Sequence, residues 1–350
     1  MGHQISGPYP WEGFEYPPAT VAWNRRDVLL FANSIGCTTS SGLHFLYENH
    51  ALFSPFPTYP TVLTFKHTHA STIPFQQHFD TYVNAPIPGV PRLDSTRVVD
   101  GGRSLRILNQ IPATSEGRRF EVRTRVLGVW DKGKGNGTVV ELQHRIWELK
   151  ERDGRLWEEV EYCRMSETAF YLGQGGWGGP RAPPNPPTSR SAAFPNSPPA
   201  MTLTHYIPST AHLLYRLNGD YNPLHASTTT GVTVGFEGAI MHGLYSWNVT
   251  SSLILEKLSN AMPGHLREFE AQFTSPVRPG EKLEIQVWVE KGRLGERTER
   301  GGWREIRFLV KTCEKGKKNP GVICLSNGRA VMKITGSAIG SAPCELKSSM

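Results

Sequence analysis

In the run Tyr215-Arg216-Leu217-Asn218-Gly219-Asp220-Tyr221-Asn222-Pro223-Leu224-His225, a carboxylate, an amide and an imidazole fall within six residues. A carboxylate can hold a water, an imidazole can take or give a proton near neutral pH, and an amide can orient what lies between them. Gly219 opens backbone angles closed to other residues, while Pro223 fixes its own φ and drives Asn222 towards extended geometry. The chain is therefore stiff where Asp220, Asn222 and His225 project, as proton transfer requires. An Asx-turn ending a short helix would explain Gly-Asp and Asn-Pro, but it leaves His225 without a purpose.

Such a trio needs elements to hold it. Residues 243–260 read as a helix with Leu244, Trp247, Ile254, Leu255 and Leu258 on one face, which implies burial against a sheet. Strands follow: the alternation of Phe269, Ala271 and Phe273, a turn at 276–280, then Leu283, Ile285, Val287 and Val289, then Ile306, Phe308 and Val310, and last 330–334. The N-terminal half repeats this layout loosely, with a helix at 27–35 and strands around 61–65, 121–127, 139–147 and 166–172. Gly175-Gly176-Trp177-Gly178-Gly179-Pro180 runs into a Pro- and Ser-crowded stretch, so 175–200 reads as a linker between domains at 1–174 and 201–350.

The whole chain narrows the class. Its 350 residues suffice for two domains, and a hydrophobic content of 38% suffices for their cores. No apolar stretch approaches the roughly 20 residues that span a bilayer, so membrane insertion is not expected, and the polar start lacks a signal-peptide core. Five scattered cysteines, Cys37, Cys163, Cys313, Cys324 and Cys344, show no metal spacing and fit a reducing compartment. The sequons at Asn136 and Asn248 are then accidental, the second lying inside the predicted buried helix. His67 and His69 form a His-x-His with no third ligand nearby, so they read as loop residues and no metal is expected. A net charge of +7 is dispersed without a stacking platform, which argues against nucleic acid. It suits a phosphate-rich small ligand, or simple solubility, equally well. No glycine-rich dinucleotide turn follows a strand, so nicotinamide chemistry is not expected.

The first run resembles the motif of the MaoC-like, or hydratase 2, family of (R)-specific enoyl-CoA hydratases, whose pattern is roughly Tyr-Arg-Leu-Ser-Gly-Asp-x-Asn-Pro-Leu-His. Asn218 stands in the usual Ser slot. The likeness continues through Phe236-Glu237-Gly238-Ala239-Ile240-Met241-His242-Gly243-Leu244. The N-terminal half, through Asp27-Val28-Leu29-Leu30-Phe31-Ala32, Pro57-Thr58-Tyr59-Pro60, Val129-Trp130-Asp131-Lys132-Gly133 and the 175–179 glycines, is similar to the degenerate first half of the hydratase portion of peroxisomal multifunctional enzyme type 2. The resemblance implies an α+β double hot-dog fold, two antiparallel sheets each wrapped around a helix, with catalysis in the second half.

It also implies roles. Asp220 and His225 would activate one water, Asn222 would orient it, and the Gly243 amide at the first turn of the buried helix would hold the thioester oxygen. His242 would be structural. Ligand contacts would fall at Asp100, Gly101, Lys132 and Phe273. Lys132 would reach a phosphate or pantetheine oxygen unless it is merely an exposed turn lysine, and Asp100 replaces the family's usual His. Ala226-Ser227-Thr228 replaces the common Ile-Asp-Pro beside the site. The expected activity is reversible hydration of trans-2-enoyl-CoA to the (3R)-alcohol, with CoA as part of the substrate, no separate cofactor, and a homodimer. The competing readings are a dehydratase of a specialised lipid or polyketide pathway, a non-catalytic acyl-CoA-binding hot dog, and a thioesterase. The ending Lys347-Ser348-Ser349-Met350 is a loose variant of a peroxisomal signal, and Met1-Gly2-His3-Gln4-Ile5-Ser6 superficially fits myristoylation. A peroxisome is the expected location, with the cytoplasm as the alternative.

Overall fold

A computed structural model describes residues 9–77, 86–152, 155–183, 197–290, 302–313 and 321–335. The two terminal addresses and most of the expected linker, 184–196, lie outside the described residues. The N-terminal half contributes β1 (Ala19–Val21), β2 (Val98–Ile107), β3 (Arg119–Asp131), β4 (Thr138–Arg152) and β5 (Arg155–Tyr171). The C-terminal half contributes β6 (Met201–Tyr206), β7 (Leu266–Phe273), β8 (Lys282–Val289), β9 (Trp303–Cys313) and β10 (Val322–Lys333). All pair antiparallel, in the order β1-β3-β4-β5-β2-β7-β10-β9-β8-β6.

Two five-stranded halves thus share one ladder. The seam is β2 against β7, with Gly102 opposite Gln272, Arg103 opposite Ala271 and Leu105 opposite Phe269. Each half would otherwise present a row of unpaired amides and carbonyls at that edge, and pairing removes both rows.

The long helix Gly243–Ser259 lies against β7 and β10. Its expected apolar face is buried, and so are Tyr245, Ser246, Asn248, Val249, Thr250, Ser251 and Ser252. A helix so enclosed takes its polar groups out of water, and only some of them find partners. Thr250 donates to the Ser246 carbonyl at 2.7 Å and Asn248 Nδ2 to the Tyr215 hydroxyl at 2.9 Å, while Ser246 Oγ, Trp247 Nε1, Asn248 Oδ1 and Ser251 Oγ have no hydrogen-bond partner among the described residues. The second sequon is therefore closed to glycosylation. Trp247 packs edge-on against Phe269 at 4.6 Å between centroids, and Phe269 stacks on Phe308 at 4.8 Å, tying helix to β7 and β9. Each such ring contributes roughly 1.5–3 kcal/mol by burial.

The N-terminal helix Arg25–Ser34 starts two residues before the expected position. Asn24 caps it: Asp27 N donates to Asn24 Oδ1 and Asn24 N to Asp27 Oδ2, a reciprocal capping box. Its Val28, Phe31 and Ala32 join the same core as Trp247, Leu255 and Phe308, so one core runs through both halves.

One expected strand is corrected. Residues 61–65 fall in the 3-10 helix Tyr59–Val62 and the short helix Leu63–Lys66. Pro60, within the first turn, has no N–H for a ladder and a φ already suited to helix.

The glycine-rich stretch opening the expected linker packs on the N-terminal half. The Asp131 carboxylate accepts from the amides of Gly176 (2.6 Å), Gly133 (2.8 Å) and Gly178 (2.8 Å), and Trp177 Nε1 donates to Thr138 Oγ1 (2.9 Å). Burial works against the Asp131 charge, but these amides outweigh it and hold the carboxyl below its ordinary range.

Candidate active site

A cavity of about 410 Å³ opens between the halves. From the C-terminal half it is lined by Asp220, Asn222, His225, His242, Gly243 and Phe273, and from the N-terminal half by Asp100, Arg103, His144 and Glu167. The structure therefore brings together six of the eight expected site residues.

Local chemistry explains the 219–225 turn. Gly219 has φ +123°, and a Cβ there would lie 2.7 Å from the backbone of Lys66, so only glycine lets this turn seat against the N-terminal half. Asp220 Oδ1 accepts from Asn222 N at 3.1 Å, and Asn222 Oδ1 caps the next turn by accepting from Leu224 N at 3.0 Å. With its oxygen engaged, Asn222 retains its Nδ2 as a donor at the cavity. Asn218, in the unusual slot, is buried and donates to Ser34 Oγ and the Tyr215 carbonyl, pinning the turn to the N-terminal helix.

His225 is buried, and its Nδ1 lies 3.0 Å from the Ile240 carbonyl. A carbonyl only accepts, so Nδ1 carries the proton and Nε2 keeps a lone pair, the tautomer of a general base. Burial lowers the His225 pKa below the ordinary histidine range, against the opposing pull of Asp220 and the Ile240 carbonyl. The imidazole is neutral at pH 7.

His242 stacks on His225 with ring centroids 3.7 Å apart. Its Nε2 donates to the backbone carbonyl of Asp220 at 3.1 Å, and burial followed by the neighbouring His225 lowers its pKa to about 3. It buttresses both members of the pair from behind. Asp220, His225 and His242 bring ligand atoms within 4.8 Å of one another, a spacing that could hold a cation. One nitrogen of each ring is already committed to a backbone carbonyl, which leaves one per ring. His67 is buried in a turn, and neither it nor His69 belongs to this group.

Gly243 opens the long helix, where amides lack intrahelical acceptors and the helix dipole is positive. A Cβ on Gly243 would meet the Phe273 ring at 3.0 Å, so the bare backbone and this ring form one wall of the cavity.

The N-terminal half adds a charged cluster to the lining, set among apolar residues such as Val98, Val99 and Leu142. Arg103 donates to Asp100 Oδ1 through Nε (3.1 Å) and Nη2 (2.8 Å), and to Glu167 Oε2 through Nη1 (2.5 Å). Arg103 and Glu167 stand directly opposite on β2 and β5. Glu167 Oε2 also meets His144 Nε2 at 3.2 Å, and His144 Nδ1 meets Thr124 Oγ1 at 2.9 Å. Burial, with repulsion from Glu167 and Asp220, overcomes Arg103 and raises Asp100 to about 6. For Glu167 burial is outweighed by Arg103 and His144, which hold it at about 2. Sequence reasoning found Asp100 only by resemblance and missed Arg103, His144 and Glu167.

Two expected contacts are not on the cavity wall. Gly101 is the extra residue of a β-bulge between Asp100 and Gly102, facing Thr168, and it aims Asp100 inward. Lys132 sits in the β3–β4 turn with Nζ donating to the Arg181 carbonyl at 2.9 Å.

Residues 191–305 match the family model of the MaoC-like domain, and residues 22–153 match that of the MFE-2 hydratase 2 N-terminal domain. A "Probable dehydratase NIT22" of Ajellomyces capsulatus is 43% identical over 91% of this chain and 81% of its own length. A "Probable enoyl-CoA hydratase 2" of Dictyostelium discoideum is 30% identical, covering 75% of this chain and 81% of its own. Among solved structures, a MaoC-like dehydratase from Phytophthora capsici superposes with a TM-score of 0.71 at 25% identity, covering 95% of this chain and 98% of that one. A Mycobacterium tuberculosis protein described as a double hot dog superposes at 0.50 with 15% identity, covering 92% and 96%, a likeness of fold. The chain belongs to the MaoC-like, hydratase 2 family and is a hydro-lyase of the hydratase/dehydratase type with a double hot-dog fold.

Proposed function

We propose that this chain hydrates trans-2-enoyl-CoA thioesters reversibly to (3R)-3-hydroxyacyl-CoA, with Asp220 and His225 as the proton-transfer pair. The observation that carries this reading is the His225 tautomer: Nδ1 is spent on the Ile240 carbonyl, so a basic Nε2 stands in a cavity shared with Asp220. In the hydration direction, one water sits between Asp220 and His225, oriented by Asn222 Nδ2. Its oxygen bonds to the β-carbon while its proton passes to the pair, and a proton returns from the pair to the α-carbon. Negative charge gathers meanwhile on the thioester oxygen, where the Gly243 amide and the helix N-terminus oppose it. Dehydration is the same path reversed. CoA enters as part of the substrate, and no separate cofactor takes part in this reading.

Because one wall holds the water and another the thioester oxygen, a single face of the double bond is open to attack. Chiral separation of the product from trans-2-enoyl-CoA should give the (3R)-alcohol alone. A racemate or the (3S) alcohol would overturn the reading. A dehydratase of a specialised pathway would use the same residues in reverse, and the name of the Ajellomyces relative favours that direction. A homodimer and a peroxisomal setting belong to the same proposal. The names of peroxisomal relatives from Drosophila melanogaster and Arabidopsis thaliana support the second.

A further inference from the structure

We infer that the charged wall of the cavity is a specificity site for an acyl group bearing a hydrogen-bond donor, a hydroxyl or an amine, in place of a plain alkyl chain. The inference rests on the thioester reading above and names the class of acyl group that site would take. A cavity serving only alkyl chains gains nothing from two carboxylates and a guanidinium, since each polar group it desolvates costs free energy. Here Asp100, Arg103, His144 and Glu167 all line the space that holds Asp220 and His225.

The hydrogen-bond ledger of the cluster gives the polarity of the missing partner. Arg103 spends three donors on Asp100 Oδ1 and Glu167 Oε2, and His144 spends Nε2 on the same Glu167 oxygen. Among the described residues no hydrogen bond reaches Asp100 Oδ2 or Glu167 Oε1. Asp100 and Glu167 both line the cavity, so their unspent oxygens are the acceptors that an occupant there would have to answer. Against one guanidinium the cluster sets two carboxylates, with Asp220 a third in the same cavity, an excess of acidic groups. A carboxylated acyl group would add to that excess, whereas a hydroxyl or an amine answers the open lone pairs. Asp220 is near enough for its charge to act on Asp100 and Arg103, so the donor would lie on the part of the acyl chain close to the reacting carbons.

The test compares matched trans-2-enoyl-CoA esters of equal length, one series alkyl, one with a hydroxyl at successive positions along the chain, and one with a terminal carboxylate. The full-length wild-type protein should favour the best hydroxylated ester over its alkyl counterpart by about tenfold or more in kcat/KM, with the carboxylate poorest. Asp100→Asn and Glu167→Gln, each made separately, should shrink that ratio. Equal or better turnover of the alkyl series by the wild type overturns the inference without any variant. So does a wild-type preference that survives both substitutions. Failure to turn over any enoyl-CoA is a distinct result: it removes the thioester reading, and this inference with it.

Discussion

Replacing Asp220 with Asn separates chemistry from architecture at this site. The substitution is isosteric, and the amide oxygen can still accept from Asn222 N at the present 3.1 Å, so the turn that seats against Lys66 keeps its hydrogen bond. What disappears is the charge and the proton-carrying oxygen. Loss of one partner in general acid–base catalysis costs roughly 10²–10⁴ in rate, or about 3–5 kcal/mol at about 1.4 kcal/mol per decade. The loss should fall on kcat with little change in KM, because no substrate-binding wall is altered. A second effect has a definite sign. The Asp220 charge raises the His225 pKa, so without it the imidazole protonates at still lower pH, and the acid limb of the residual kcat/KM profile should move down. The assay follows loss of the enoyl thioester across pH, with thermal unfolding as the control for folding. A variant that retains more than about a tenth of wild-type kcat while folded would refute the proton-transfer assignment. An acid limb that moves upward would refute the coupling to His225.

Three other outcomes are expected. Gly243→Ala places a methyl 3.0 Å from the Phe273 ring, so kcat should fall about tenfold or more while stability falls by only about 1–3 kcal/mol; unchanged kcat would remove Gly243 from the oxyanion site. Asp131→Ala strips the acceptor from three amides and should cost about 3 kcal/mol in denaturant unfolding and speed proteolysis near 175–183; an unchanged midpoint would show that the clasp contributes nothing. Burial lowers His242 to about 3 and His205 to about 4, so the unfolded chain binds more protons as pH falls below about 6.5. Their stabilisation is complete above that pH and is lost towards pH 4, opposed by Asp100, whose raised pKa favours the folded state over part of the same range. Two imidazoles outweigh one carboxyl, so the melting temperature should drop between pH 7 and 5, and less steeply in His242→Asn; equal slopes would show that His242 is not the group responsible.

The catalytic turn was legible in sequence because its constraints are local. Gly219, Pro223 and the side-chain acceptors of Asp220 and Asn222 act within a few residues, and the long helix announced itself by the spacing of Leu244, Trp247, Ile254, Leu255 and Leu258. Strand β2 was not legible. Its Asp100-Gly101-Gly102-Arg103 run has no apolar alternation, since a bulge breaks the register and one face meets a charged cavity wall. Arg103, Glu167 and His144 lie on three strands and converge only through ladder register, so no motif spacing could have joined them. The 61–65 error has the opposite origin: β-branched and aromatic residues suggested a strand, and a single Pro60 decided against it.

The β2–β7 seam explains why a half without a catalytic motif belongs to the site. The C-terminal half supplies the 219–225 turn and the helix N-terminus, and that turn is seated on the other half where Gly219 lies against Lys66 and Asn218 reaches Ser34. The seam carries Arg103 opposite Ala271, two residues before Phe273, so it sets the charged wall beside the ring that abuts Gly243. A half relieved of proton transfer can change its inward side chains while the turn stays seated through Lys66 and Ser34, although a change of charge at Asp100 or Arg103 would be felt at Asp220. On the readings proposed above, chemistry would fall to one half and selectivity to the other within one cavity. It follows that substitutions on β2, β4 and β5 should alter which acyl group is accepted, whereas substitutions in 219–225 should alter whether any is turned over.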